Sequence, residues 1–590
     1  MDLSTRQGRK EQGSLLQHAV ERAGISVEEL AQRVGCSRAL IYQYLSGTTL
    51  AQPDRLQRIA EITHVPLAYF YGAPLEPAGS AKPSKEPPQQ RIQERLEQLE
   101  ELARAQEAPA DWAALASTSD RIVSLAAQLE DRPAQARALV RIGKSAIRRG
   151  EFSRALDSLE RAALLFTDLA DADGLADARQ ALGSAYLSLG RTRDAREQFD
   201  HVVKSSKWDF RWRGAVSLAA VLEQQGDHRA AMEWCDEAAS ILDERNDPTE
   251  VSRGMLYVNG NRVNLFLACG DFLSAEPLAR WCAENAEGLG NSDQHLEARL
   301  NLALCDLWRG RWVQAEAMLT STIPLARFTG DKSREAMGRA LLGSVLARLG
   351  RFDAATEQAK DALSASLSQG DRRTEHFAQA ALAEAYAGAR RETEARYHAN
   401  QALAVAGALR LSLYETEARL LLAEVCQYAQ SYDEAEEQIH RALRSAEEIG
   451  AQHLEAEAYR LLAAAELRHG HTTTAFDYAL RAQKQAAELQ LQPMVLKCWE
   501  ILGHIHAAQG ETSQAVDAFR HAIEGWTAVR TACIEAGHED TLLEDPARLD
   551  AWRSCLKLLY DTGRNQEAER LLEQSAWPPL AETETGDNQA

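Results

Sequence analysis

GISVEELAQRVGCSRALIYQYLSG, residues 24–47, decides the fold of the N-terminal end of this chain. Ser26 precedes an apolar-periodic run of Val27, Leu30, Ala31 and Val34, and Glu29 follows it three residues on. That is a capping box, in which the hydroxyl and the carboxylate satisfy backbone N–H groups that a helix start leaves open. Gly35 ends the first helix and Ser37 caps a second, whose inward face is Leu40, Ile41 and Tyr44 or Leu45. Arg38, Ala39, Tyr42 and Gln43 are left on the outward face. Two short helices, a glycine turn and a free polar face on the second are what insertion into a DNA major groove requires.

The flanks extend this reading to a domain. Leu15, Leu16, Ala19 and Val20 predict an amphipathic helix before it. Pro53 opens a helix with Leu56, Ile59, Ala60 and Ile62, and residues 65–70 add a short apolar element. Five helices over residues 13–72 make a unit large enough to fold alone. With EELAQRVGCSRALIYQYLSG and the trailing LQRIAEITHVPLAYFYG, the chain resembles the phage-repressor (XRE/Cro/C1) helix-turn-helix family. The resemblance implies a five-helix, lambda-repressor-like DNA-binding domain. Many relatives place a Glu and a basic residue around the closing glycine, where this chain has Leu45, Ser46 and Thr48. Its operator sequence therefore does not carry over from a relative.

Charge confines any DNA contact to this end. The 590-residue chain has a formal net charge of −21, yet residues 1–72 carry eight Lys/Arg against seven Asp/Glu. The remainder holds the acidic excess and would repel phosphate. Its length exceeds what one core supports, so several domains or a repeat array are expected. Nine cysteines without a C-x-x-C pair suit a reducing cytoplasm. No signal-peptide core or long apolar run appears, so a cytoplasmic protein without membrane contact is expected. Arg outnumbers Lys 55 to 11, a bias pointing to a high-GC bacterial genome.

Residues 1–12 are polar and predict a flexible arm, whose Arg6, Arg9 and Lys10 could reach phosphates. Residues 73–90 hold five prolines and no apolar periodicity, which predicts an extended linker. Residues 91–129 begin a helical array. Ile92, Leu96, Leu99 and Ala103 alternate four- and three-residue steps, a seam that would either pair two subunits or pack on the next helix.

From residue 130 onward the chain repeats itself. A glycine followed five residues later by alanine recurs at Gly150/Ala155, Gly190/Ala195, Gly226/Ala231, Gly270/Ala275, Gly310/Ala315 and Gly350/Ala355. It returns at Gly470/Ala475, Gly510/Ala515 and Gly563/Ala568, and two units keep the alanine (Ala395, Ala435) behind Arg390 and Gln430. The best units place a glycine seven residues earlier (Gly143, Gly183, Gly343, Gly503), and some an aromatic nine later, as at Phe199 and Phe519. The earlier glycine lets two antiparallel helices approach, the second turns the chain, and the alanine lets the second helix pack back. ALGSAYLSLGRTRDAREQF and ILGHIHAAQGETSQAVDAF resemble tetratricopeptide repeats. The fold class expected is all-α, with about eleven helical pairs over 130–575 stacked as a solenoid, a lengthened connection at 531–549 and a disordered tail at 576–590.

Catalytic and metal signatures are not found. Gly143-Lys144-Ser145 lacks the second glycine and the preceding strand of a P-loop. No zinc-spaced Cys/His set, HExxH or nucleophile elbow occurs, so no enzyme, metal or cofactor is expected. Carboxylate-rich patches near Glu436 and Glu539 read as solvated faces.

Function is instead sought on two surfaces. On the DNA-binding domain, Arg38 suits guanine, Gln43 suits adenine, and Tyr42 and Ala39 share their face. Ser26, Ser37 and Thr48 are placed for phosphates. On the array, Tyr257, Asn261, Asn264, Arg299, Asn301 and Arg339 are the candidates for a peptide or partner groove. Asn261 and Asn301 stand one repeat apart, and an asparagine ladder can hold an extended backbone. Six tryptophans between 208 and 312 suggest an aromatic lining. The layout resembles Gram-positive regulators that sense imported peptide pheromones. One sixty-residue reader makes few base contacts, so a homodimer on a double-stranded operator is expected, with a peptide or protein ligand in the array setting the dimer geometry. The alternative is a repeat scaffold whose N-terminal head serves protein interaction.

Overall fold

The computed structural model describes residues 6–51, 53–63, 65–72, 88–107, 112–245, 247–537 and 549–574. Among them are 28 α-helices and no strand. They fall into two compact units. The first comprises residues 1–185, 197–211 and 326–332; the second comprises 186–196, 212–325 and 333–590.

At the start of the first unit, helices α1 (Arg6–Ala23), α2 (Val27–Val34), α3 (Arg38–Leu45) and α4 (Pro53–Thr63) and a 3-10 turn (Leu67–Tyr71) enclose one apolar core. Leu16, Leu30, Ile41, Leu56, Ile59 and Phe70 are its largest fully buried members. The serine caps are as expected, Ser26 Oγ accepting from Glu29 N and Ser37 Oγ from Leu40 N, but the box at Ser26 is not closed, because the Glu29 carboxylate accepts from Arg33 at 3.4 Å. Gly35 closes α2 at φ 78°, a left-handed conformation that costs a side-chain-bearing residue about 1–2 kcal/mol.

Two expectations about the flanks fail. Residues 1–12 are not an arm throughout, because α1 begins at Arg6 and Gln12 is buried. Gln12 Oε1 accepts the backbone N–H of Ala51 at 3.3 Å, so this polar stretch contributes to the core of the domain. The linker expected to end at residue 90 gives way to helix α5 (Pro88–Glu107), since proline is tolerated in a first helical turn. Residues 73–87 and the tail 576–590 lie outside the described residues.

The apolar seam of α5 is spent within the chain. Leu96, Leu99, Leu102 and Ala103 pack with Leu115, Ile122 and Ala126 of α6 (Trp112–Gln128) and with Ala134 and Ala138 of the helix Arg132–Arg148. A coiled coil between subunits along this seam is thereby excluded, because the same side chains cannot face a second copy.

From Arg132 to Gln574 the described helices form eleven consecutive pairs. The repeat chemistry is as the spacing predicts. All eleven alanines, from Ala155 to Ala568, are completely buried. The turn glycines have φ between 71° and 81°, and Arg390 and Gln430, which replace two of them, are held at 58° and 57°. A Cβ at Gly143 would lie 2.3 Å from Leu159 Cγ, at Gly183 2.3 Å from Phe199 Cε1, and at Gly503 2.6 Å from Phe519 Cδ1. Each glycine thus admits the side chain sixteen residues on. The helix Thr512–Glu535 continues into the stretch expected to lengthen the last connection, of which 538–548 lie outside the described residues.

The second unit folds back on itself. Arg309 donates to Gln490 Oε1 at 2.7 Å, and the rings of Trp312 and Trp526 stack at 6.2 Å. His453 stands edge-on to Phe272 and Trp308, at 5.6 and 5.0 Å. These contacts join residues 145 to 214 positions apart and enclose a cavity.

Candidate functional site

The candidate reading face is carried by α3. Its inward residues Ile41 and Tyr44 are buried and Leu40 half-buried, which turns Arg38, Ala39, Tyr42 and Gln43 to solvent. Tyr42 is 60% exposed, an unusual state for a large aromatic with no packing partner to gain. The helix is fixed from behind by backbone contact. A Cβ on Gly13 of α1 would lie 2.7 Å from Gly47 N, and one on Gly47 2.6 Å from Lys10 Cα. Arg55 donates to Tyr44 Oη at 2.7 Å, and Arg58 donates to the Val34 carbonyl at 3.1 Å. The outward face therefore rests on a rigid support.

Two features of this face were not read from the sequence. Glu28, two residues after the Ser26 cap, forms an ion pair with Arg38 at 2.8 Å. Both side chains are mostly exposed, so the pair contributes at most about 1 kcal/mol and can be exchanged. Ser46 Oγ and Thr48 Oγ1 are 2.7 Å apart, so Thr48 has a local partner at the end of α3. Ser26 and Ser37 hold their caps with one lone pair each, and both remain exposed.

In the array, the proposed groove residues divide. Asn264 and Asn301 come together: Asn301 Nδ2 donates to Asn264 Oδ1 at 3.0 Å, and both line the cavity of the second unit. The other four are engaged elsewhere. Asn261 donates to the Val216 carbonyl at 2.5 Å. Arg299 donates to Thr322 Oγ1 at 2.8 Å and to Ser321 Oγ. Arg339 donates to Gln358 at 2.9 Å and pairs with Asp361 at 3.1 Å. Tyr257 packs on Trp212 and accepts from Asn291 at 3.4 Å. The 40-residue offset of Asn261 and Asn301 does not produce a ladder, because Asn261 bonds to a backbone carbonyl of the helix Trp208–Gln224 while Asn301 bonds to the Asn264 side chain. Of the six tryptophans in this region, Trp308 and Trp312 line the cavity.

The cavity, about 200 Å³, is walled by Phe272, Trp308, Phe377 and Met494 on its apolar side. Its polar side is a run of charged residues from successive repeats. Glu384 pairs with Arg348 at 2.5 Å; Glu424 pairs with Arg460 at 3.0 Å and Lys497 at 3.1 Å; Arg460 also pairs with Glu457 at 2.5 Å. Burial raises the Glu424 carboxyl, but Lys497, Arg460 and Arg348 together hold it well below the usual carboxylate range. Glu417 has the opposite balance: burial, with Glu384 nearby, pushes it up to about 8. Glu223 is raised by burial too. Tyr414 is pushed up to about 12, chiefly by burial. His376 and His453 are lowered by burial to about 4 and about 3, so both are neutral near pH 7. The signal for this charge run was present in the repeat register, since Glu384 and Glu424, and Glu417 and Glu457, are each one 40-residue period apart.

Lys144, of the P-loop-like triplet, sits in mid-helix and pairs with Asp177 at 2.7 Å. No helix among the described residues is long and apolar enough to cross a membrane.

Comparison with known proteins agrees with this division. Residues 11–68 match the family described as helix-turn-helix domain, and residues 117–207 match the tetratricopeptide repeat family. No curated protein shows significant similarity to the chain. Among solved structures, a Rap protein complexed with competence and sporulation factor aligns over 62% of this chain and 99% of its own, at 14% identity and a TM-score of 0.44. Bacillus thuringiensis PlcR, in complex with the peptide PapR7 and DNA, aligns over 48% and 95%, at 14% identity and 0.27. The Cut9–Hcn1 APC/C hetero-tetramer aligns over 83% and 96%, at 12% identity and 0.44. By the family matches, residues 11–68 are a helix-turn-helix domain and residues 117–207 tetratricopeptide repeats, in a chain that continues as a helical repeat array.

Proposed function

We propose that this chain is a sequence-specific DNA-binding transcriptional regulator whose repeat array binds a peptide or partner protein and thereby controls operator binding. The observation that carries the reading is the outward face of α3, with Arg38, Tyr42 and Gln43 exposed on a helix-turn-helix whose other face is fully packed. Arg38 would exchange Glu28 for a guanine edge, Gln43 would read adenine, and Tyr42 and Ala39 would contact a thymine methyl or sugar. Ser26, Ser37 and Thr48 would bond phosphates while keeping their local roles.

A single reader of this size makes few base contacts, so a homodimer on a two-fold operator in a bacterial cytoplasm is the working arrangement. Since the α5 seam is buried, dimer contacts would come from another surface. A ligand acts only if it binds one array geometry better than another, and a cavity enclosed by contacts between distant repeats is where such a difference would arise.

The test is enrichment of genomic fragments by the full chain at near-physiological salt, beside Arg38→Ala/Gln43→Ala. Recovery of a short inverted repeat by the wild type alone supports the reading. Equal recovery of all fragments by both proteins, or none by either, removes it.

A further inference from the structure

Tyr414 and Glu417 stand three residues apart on one helix, Ser412–Tyr428, and both line the cavity of the second unit. Around them the pairing of charges fails. Every other acidic side chain lining the cavity, namely Glu384, Glu424 and Glu457, has a cationic partner within 3.1 Å. Glu417 and Glu223 have none within ion-pair or hydrogen-bonding distance among the described residues. The cation that most influences both is Arg373, whose guanidinium lies over the Tyr414 ring, 5.9 Å from its centroid, and which forms no ion pair with either. Two carboxylates thus share one guanidinium. Removing a carboxylate from water without a partner is costly, and supplying an opposite charge recovers that cost. Phe272, Trp308, Phe377 and Met494 border the same space and would cover an apolar body.

We propose that this cavity is the ligand site of the array and that its ligand is a short peptide with a basic side chain, seated between Glu223 and Glu417, and apolar neighbours against the aromatic wall. The inference rests on the reading of the array as a peptide sensor and names the chemistry that it selects. The basic group would complete the pairing that Arg373 leaves unfinished, while Asn264 and Asn301, bonded to each other on the same wall, offer further hydrogen-bonding atoms to a peptide backbone. A basic side chain would favour the ionised form of Glu417, which burial disfavours, whereas an acidic ligand would disfavour it further. The raised Glu417 carboxyl agrees with a site prepared for a cation that is not part of the chain.

The test uses the full-length protein and three pools of seven-residue peptides with blocked termini. All have the same Leu, Phe, Ala and Gly content and differ in carrying one Lys or Arg, one Asp or Glu, or no charge. Retained peptides are identified by mass spectrometry after affinity selection. The expected result is at least tenfold enrichment of the basic pool over the acidic one. Glu417→Gln and Glu223→Gln should each reduce that preference severalfold, whereas Asp433→Asn, on an exposed second helix, should leave it unchanged. Gln preserves shape, and a matched melting curve confirms that each variant is folded. Retention without regard to charge, or a preference that survives both variants, overturns this inference and leaves peptide sensing standing. Retention of no pool overturns both.

Discussion

At the scale of single residues, two kinds of constraint govern the N-terminal domain. Gly13 and Gly47 let α1 and the end of α3 meet backbone to backbone. Gly13→Ala should therefore destabilise the domain by about 1–3 kcal/mol, the usual cost of overpacking. Faster amide exchange across α1–α4 in the full chain, with the array unchanged, is the expected readout. Equal exchange in variant and wild type would show that the helices can separate at no cost. The second constraint is electrostatic. Glu28 holds Arg38 in an exposed pair worth at most about 1 kcal/mol. Under the proposed function, Glu28→Gln should strengthen operator retention by up to about fivefold, because Arg38 no longer leaves a partner to reach DNA and a negative charge leaves the face. Weaker retention would mean that Glu28 orients Arg38 instead. The capping serines were legible in sequence because a cap needs only local spacing. The Glu28–Arg38 pair was not, because it depends on the angle between two helices.

At the scale of the helical pair, the repeat is set by sterics. Gly183 admits the ring of Phe199 at a distance no Cβ tolerates. Gly183→Ala should lower the melting temperature of the full chain, corresponding to about 1–3 kcal/mol, with loss of protection centred on residues 172–202. An unchanged melt would mean that Phe199 has another rotamer available. The converse substitution tests the turn. Gln430 is exposed and held at φ 57°, where the other units mostly place glycine. Gln430→Gly should stabilise the fold by about 1 kcal/mol, since relief of the left-handed penalty exceeds the entropy glycine adds to the unfolded chain. A lower melting temperature would contradict that balance. Glycine and alanine spacing made these pairs readable, because each position answers a contact within about twenty residues. The α5 seam marks the limit of such reading. Its periodicity suits a partner helix from either the same or another chain, and only the packing against Leu115, Ile122 and Ala126 decides between them.

At the scale of the whole molecule, the contacts that enclose the cavity join residues far apart in sequence, as in Arg309 with Gln490 and Trp308 with His453. They place Glu417 among Tyr414, Arg373, Glu384 and Glu223, where burial holds its carboxyl up to about 8. A carboxyl raised in the folded state binds its proton more tightly than in the unfolded chain. The stability it contributes is complete below the ordinary glutamate range and is lost as pH rises toward about 8. Glu417→Gln should therefore raise the melting temperature at pH 8, by on the order of 1–2 °C, and change it little at pH 4. An equal effect at both values would show that the carboxyl is not perturbed by the fold.

The sequence alone determined the helix-turn-helix, its caps and its outward face, and the repeat with its glycine turns and buried alanines. Those features depend on local geometry, on burial periodicity and on contacts within one helical pair. The tertiary structure decided where polar side chains on the inner helices are spent. Asn261, Arg299 and Arg339 bond to neighbouring helices, while Asn264 and Asn301 meet on the cavity wall. It also decided that Glu417 and Glu223 face that cavity near Arg373 but with no ion pair among the described residues. Charge pairing among distant repeats depends on how the array closes on itself, and no spacing within a forty-residue unit encodes it.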